Sequence, residues 1–245
     1  MLSPRNHKRP VFFLFCIFFS GLFVSCNVLS SSRSAEGPEG AGAAQDPVLI
    51  EVTSAASSKM ASEALLSACR QLGVPHMNVF QWNNHTVLYG NLNNPEEVRS
   101  QLARALPKAE IKLYTDPFYE FNRKRCGDTN TAREWDHILL TANLVKDTAL
   151  QREYLDYHVT QFQQWPEVSN GFCKASFQQL LLFKSGRQLM LVISIPKGES
   201  LDELNPKTTE NNPRVDDWNA LMKKYQEGIS GTKPGEVWVF LKQVH

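Results

Sequence analysis

Residues 153–168 read EYLDYHVTQFQQWPEV and gather two tyrosines, one histidine, three glutamines and a tryptophan. Tyr154 and His158 stand one helical turn apart, so a helix would project both from the same face. Leu150 precedes Tyr154, and Gln161 follows Tyr157, at the same turn spacing. Imidazole is the side chain best matched to proton transfer near neutrality, and a neighbouring phenol can orient or relay the proton. The same spacing describes an ordinary amphipathic helix with a packed, hydrogen-bonded histidine, so the pair alone is a weak motif. Glu167 reads either as a proton acceptor or as a first-turn acid favoured by a helix dipole. His76, His85 and His137 fall at a strand entry, a hairpin and a strand start, with no metal-ligand spacing among them. Cys69, Cys126 and Cys173 are widely spaced and form no CxxC pattern. Cys69 sits on an apolar helical face. Cys126 and Cys173 are open to pairing in an exported protein, but sequence leaves their separation undetermined.

The elements that must hold these residues follow one rhythm twice. From Pro47, VLIEVTSA reads as a strand, SSKMASEALLSACRQLG as an amphipathic helix, and NVFQWNN with TVLYGNL as a hairpin around Asn83-Asn84-His85. NPEEVRSQLARALP then reads as a helix with proline and acids in its first turn, and AEIKLYTD as a closing strand. In the second half HILLTANLV is a strand and a helix runs from Asp147 past His158. LLLF and LMLVISI pair across Lys184-Ser185-Gly186-Arg187, a helix begins near Asn212, and EVWVFLKQV closes the unit. Each βαββαβ unit covers one sheet face with helices and leaves the other bare. The predicted fold is therefore α+β: two ferredoxin-like units packed sheet to sheet as an intrachain dimeric α+β barrel. Residues 47–120 form the first unit, 121–136 a turn-rich linker in which Trp135 packs, and 137–245 the second. The first helix carries no Tyr and His at turn spacing, so the first unit reads as a degenerate copy supplying the sheet partner. Trp82, Tyr89 and the segment YTDPFYEFNRKR are placed to contribute to the pocket edge.

The composition points to no polyanionic partner. The chain has 245 residues, 42% of them hydrophobic and 21% charged, with a formal charge of +1. No electrostatic steering towards nucleic acid follows from that balance. At the N-terminus, Arg5, His7, Lys8 and Arg9 precede the apolar run VFFLFCIFFSGLFV. This is a signal-peptide pattern too short to span a bilayer comfortably. LFVSC resembles a bacterial lipobox, which makes Cys26 the expected lipidation site and residues 1–26 the signal segment. Residues 27–46, rich in Ser, Gly and Ala, read as a flexible tether. The expectation is an exported protein held to the cell envelope by lipid, periplasmic or at the outer membrane, with the anchor separate from the chemistry.

Several strings recur in order: EYLDYH, WPEV, LLLFKSGRQLMLVISI, NNPRVDDWNALMKKYQEGI and KPGEVWVFLKQV. Together they resemble the L-rhamnose mutarotase family over about 135–244. That resemblance implies small α+β units paired sheet to sheet and interconversion of the anomers of L-rhamnose or a related 6-deoxyhexose. His158 falls on the family's proton-donating histidine and Tyr154 on the sugar-contacting tyrosine one turn earlier. Trp218 falls on the first of two adjacent pocket tryptophans, and Trp165 on a further recurring tryptophan. Three positions depart: His158 to Trp165 is a longer path, Asn219 replaces the second pocket tryptophan, and a sugar-contacting tyrosine falls at Gln179. Such changes bear on which sugar is bound. Ring opening moves one proton to the ring oxygen and one from the anomeric hydroxyl, so the expectation is a monosaccharide substrate with no metal or redox cofactor. With its sheet partner supplied intrachain, the protein is expected to act as a monomer. The competing reading is a non-catalytic, membrane-tethered sugar-binding lipoprotein retaining the fold. A third is a haem-handling barrel with His158 as axial ligand, which rests on fold analogy alone. The run PKGESLDELNPKTTENNPRVDD is expected to lie as a loop near the pocket mouth.

Overall fold

The computed structural model describes residues 47–54, 58–71 and 78–244. The signal segment, Cys26, the tether and His76 lie outside the described residues. β1 (Val48–Thr53) leads into α1 (Ser58–Gln71), then β2 (Asn78–Trp82) and β3 (His85–Gly90). The β2–β3 hairpin turns at Asn83, whose φ of 49° is a left-handed conformation that asparagine tolerates. α2 (Pro95–Ala105) starts at a proline whose missing N–H is of no consequence there, carries Glu96 and Glu97 in its first turn, and precedes β4 (Glu110–Tyr114).

The segment between the halves is more structured than a polar linker. β5 (Tyr119–Asn122) pairs antiparallel with β7 (Gln179–Ser185), placing Phe121 opposite Leu180, and Phe121 is fully buried. Cys126 forms a disulfide with Cys173, closing a sequence separation of 47. β6 already begins at Trp135 and runs to Leu144.

In the second half Asp147 caps α3 (Thr148–Gln164) by accepting from the Ala149 and Leu150 amides at 2.8 and 3.2 Å. Pro166 lacks the amide needed to extend α3 and instead opens α4 (Pro166–Lys174), so the Trp165-Pro166 step divides two helices. β7 and β8 (Gln188–Pro196) form a hairpin with Gly186 at φ +57°. The polar run after β8 includes the short helix α5 (Leu201–Leu204) and a 3-10 turn. α6 (Pro213–Met222), the two-residue β9 (Gln226–Glu227) and β10 (Val239–Val244) complete the chain. β10 starts three residues later than the sequence pattern suggests, and β9 has no sequence signal at all.

The fold is a mixture of helices with a curled antiparallel sheet, ordered β4-β1-β3-β2-β10-β6-β8-β7-β5, with β9 pairing β6 alongside. The halves join edge to edge, Gln243 of β10 standing opposite Phe80 of β2. Strand alternation explains the three cores. Val48, Ile50 and Val52 of β1 pack with Leu65, Val98 and Leu102 of the first-half helices. Leu49, one residue out of phase, joins Phe80, Val87, Leu139, Leu181, Met190 and Val192 on the inner face, drawn from both halves. Leu180, Leu182 and Ile193 face the second-half helices with Tyr154, Val168 and Trp218.

At one end the inner face becomes polar. Glu51, fully buried, accepts from His85 Nδ1 at 2.7 Å, Tyr114 Oη at 2.9 Å and Gln188 Nε2 at 2.8 Å. Gln188 belongs to the second half, so this carboxylate ties the halves together. Burial acts to raise the Glu51 carboxyl, but the hydrogen bonds from His85 and Gln188, together with the electrostatic effect of His85 and Lys112, outweigh it and hold the group below its usual range.

Candidate active site

The third core opens into a cavity of about 490 Å³ lined by Tyr119, Tyr154, His158, Trp218, Gln226 and Trp238 among largely apolar neighbours. That volume lies within the roughly 300–1,000 Å³ common for small-molecule sites. α3 presents Tyr154 and His158 one turn apart, as the spacing requires, and both are buried, at 1% and 7% exposure. Their ring centroids are 4.3 Å apart. Edge-on around His158 stand Trp218 at 5.3 Å, Tyr119 at 5.3 Å and Phe118 at 5.7 Å.

His158 Nδ1 lies 2.8 Å from the Tyr154 carbonyl oxygen, which can only accept, so Nδ1 carries the proton. Nε2 is the nitrogen left for a ligand, and in the neutral ring it holds a lone pair. Burial among aromatic rings lowers the His158 pKa to about 4, with the carbonyl hydrogen bond partly opposing that effect. At neutral pH the resting imidazole is a proton acceptor. The donor role implied by the family resemblance becomes open to His158 only after it has taken up a proton. Burial raises the Tyr154 pKa, with the Gln226 hydrogen bond opposing, so its phenol keeps its proton at neutral pH.

Two hydrogen-bonded chains flank the pair. Trp238 Nε1–H donates to Gln226 Oε1 at 3.1 Å, and Gln226 Nε2–H donates to Tyr154 Oη at 3.1 Å. Tyr119 O–H donates to Gln161 Oε1 at 2.8 Å, and Gln161 Nε2 donates to the Trp165 carbonyl at 2.7 Å.

The other expected site residues separate clearly. Trp218 and Asn219, both on α6, line the cavity. Trp165 lies one layer back: it packs on Trp218 at 5.5 Å and carries the Arg214 guanidinium over its ring at 3.8 Å. It therefore supports the cavity wall. Gln179 does not line the cavity, because β7 alternation turns Leu180 and Leu182 towards it and sends Gln179 to the opposite side. There Gln179 contacts Glu120 at 3.4 Å. Glu167 sits in the first turn of α4, away from the lining.

Tyr119 comes from the YTDPFYEFNRKR segment, brought over α3 by the pairing of β5 with β7. From the polar run after β8, Asn205 reaches the lining. Gln226 and Trp238 escaped sequence reasoning. Gln226 is placed by β9, paired with Leu144 of β6, and Trp238 lies just before β10 within a string that reads simply as strand.

Comparison with known proteins concerns mainly the second half of the chain. The L-rhamnose mutarotase family model matches residues 137–245. An L-fucose mutarotase of Xanthomonas campestris pv. campestris is 32% identical over 97 residues, spanning 39% of this chain and 75% of that protein. A UPF0734 protein of Dictyostelium discoideum is 30% identical over 104 residues, 39% of this chain and 77% of that one. Among solved structures, a heme-degrading enzyme of Listeria monocytogenes aligns with 80% of this chain and 99% of its own, at 11% identity and a TM-score of 0.39. The identity to the fucose enzyme, over three-quarters of its length, together with the family match over the half that builds the cavity, means that this chain belongs to the L-rhamnose mutarotase family.

Proposed function

We propose that the protein is a sugar mutarotase that interconverts the α and β anomers of L-rhamnose, L-fucose or a related 6-deoxyhexose. The observation that carries this reading is the neutral His158, its Nδ1 tied back to the Tyr154 carbonyl, beside the protonated Tyr154 phenol in one desolvated cavity. In ring opening, Nε2 of His158 takes the proton of the anomeric hydroxyl. The O–H electron pair becomes the second bond of the C1 carbonyl, and the C1–O5 pair passes to the ring oxygen, which accepts a proton from the phenol side. After the C1 aldehyde rotates, the steps reverse and the imidazolium returns its proton. Trp218 stacks against the apolar face of the sugar, and Asn219, in place of an aromatic ring, supplies an amide that contributes to the choice of sugar. Positioned acid and base groups of this kind contribute about 10²–10⁴-fold. We read the two halves as ferredoxin-like units forming an intrachain barrel, so that a single chain supplies both halves of it. We also place the protein in the cell envelope, lipidated at Cys26. The Cys126 to Cys173 disulfide suits an oxidising compartment, and among the described residues no helix is long and apolar enough to cross a membrane.

The test is anomer exchange by NMR on L-rhamnose, L-fucose and other hexoses, with His158→Ala and Tyr154→Phe beside the wild type. Exchange above buffer that both substitutions reduce is expected. Wild-type exchange no faster than buffer on every sugar sinks the enzymatic reading, and saturation-transfer contacts without exchange point to the sugar-binding alternative. Loss of lipidation in Cys26→Ala checks the anchor.

A further inference from the structure

Two tyrosines line the cavity, and the hydrogen bonds of their hydroxyls run in opposite senses. The sense is fixed by partners that work only one way. The Trp165 carbonyl can only accept, so the Gln161 amide nitrogen faces it and Gln161 Oε1 faces Tyr119. Tyr119 therefore spends its proton on Gln161. The Trp238 indole N–H can only donate, so Gln226 Oε1 must face Trp238 and the Gln226 NH₂ must face Tyr154. Tyr154 Oη thus receives a hydrogen bond, and its own proton is turned away from Gln226.

Resting on the mutarotase reading above, we infer that Gln226, its amide oriented by Trp238, is a positioning residue that makes Tyr154 an obligate proton donor to the bound sugar. The pair is complementary to His158, whose committed Nδ1 leaves Nε2 as acceptor. One group that can only take a proton and one that is set to give one are what simultaneous deprotonation of O1 and protonation of O5 require. The hydrogen bond from Gln226 also strengthens as negative charge develops on the phenol oxygen, so it is worth more in the transition state than at rest. β9 is the device that delivers it: two residues long, it pairs with the end of β6 and sets the Gln226 side chain between Tyr154 and Trp238.

Gln226→Glu tests this because it keeps the shape and reverses one bond. An ionised carboxylate still accepts from Trp238 but can only accept from Tyr154, drawing the phenol proton out of the cavity. The expected result at about pH 8 is a fall in the saturated exchange rate of about tenfold or more, the scale of one hydrogen bond in the transition state, with sugar affinity by saturation transfer within a few-fold of wild type. Lowering the pH towards about 5 protonates the buried carboxyl, restores a donor and should recover exchange, a response absent from wild type and from Gln226→Met. Gln226→Met should show the same loss at every pH, and Trp238→Phe, which frees the amide to flip, a smaller one. A folded Gln226→Glu that exchanges anomers as fast as wild type overturns the inference while leaving the mutarotase reading intact. Should Gln226→Glu fail to fold, undiminished exchange by Gln226→Met overturns it. Wild-type protein with no exchange on any sugar overturns both.

Discussion

Replacing His158 by glutamine should change not only exchange but also the way stability depends on pH. The imidazole is 7% exposed, and burial lowers its pKa from 6.5 to about 4. In the unfolded chain it regains its ordinary value, so between the two values the unfolded state binds more protons and stability rises with pH. The contribution is fully present above about pH 6.5, is lost as pH falls towards about 4, and changes no further below that. At about 1.4 kcal/mol per pH unit, the displacement amounts to about 3 kcal/mol. Urea unfolding of wild type and His158→Gln at several values between about pH 7.5 and about pH 4 measures it as a difference. Glu51 and His137, whose values are also lowered, are common to both proteins and cancel. The stability of wild type relative to the variant should fall by about 3 kcal/mol across this range. A parallel exchange assay should show wild-type activity level through pH 6.5 and declining only near the lower value. A stability difference independent of pH, or an activity inflection at pH 6.5, would refute the claim that burial holds His158 neutral.

Reduction of the Cys126 to Cys173 disulfide, or Cys173→Ser, releases a loop of 47 residues and should lower stability by about 2–4 kcal/mol, read by thermal unfolding with and without reductant. Gly171→Ala would place a Cβ 2.5 Å from the Thr208 carbonyl oxygen, forcing α4 from the turn before α6; a loss of about 1–3 kcal/mol is expected in urea unfolding. Glu51→Ala strips His85, Tyr114 and Gln188 of their shared acceptor and should lower stability by about 3–5 kcal/mol near neutral pH. Because the Glu51 pKa is lowered in the folded state, that deficit should shrink as acid takes the wild-type carboxylate below the unfolded carboxyl value and through its lower folded one.

Much of the strand and helix order was legible because each of those elements carries its own signal. Period-two strands, Asn83-Asn84 between β2 and β3, and the helical run from Asp147 past His158 are properties of a few adjacent residues. The Tyr154 and His158 pair was legible for the same reason, since helical spacing alone puts them on one face. Gln179 was misplaced because a one-residue offset along a strand reverses the face, and only the pairing of β7 with β5 and β8 fixes that register.

Sequence by itself determined which residues could move a proton and which helix would carry them, because both follow from side-chain chemistry and a local period. Tertiary structure alone decided which proton-transfer role each group is set up for. Burial by Phe118, Tyr119 and Trp218 makes His158 an acceptor, and Gln226, 72 positions from Tyr154 and oriented by Trp238, turns the phenol proton outward. Desolvation and hydrogen-bond direction are properties of what surrounds an atom in space, and those surroundings come from β5, α6 and β9, which the chain brings together only on folding.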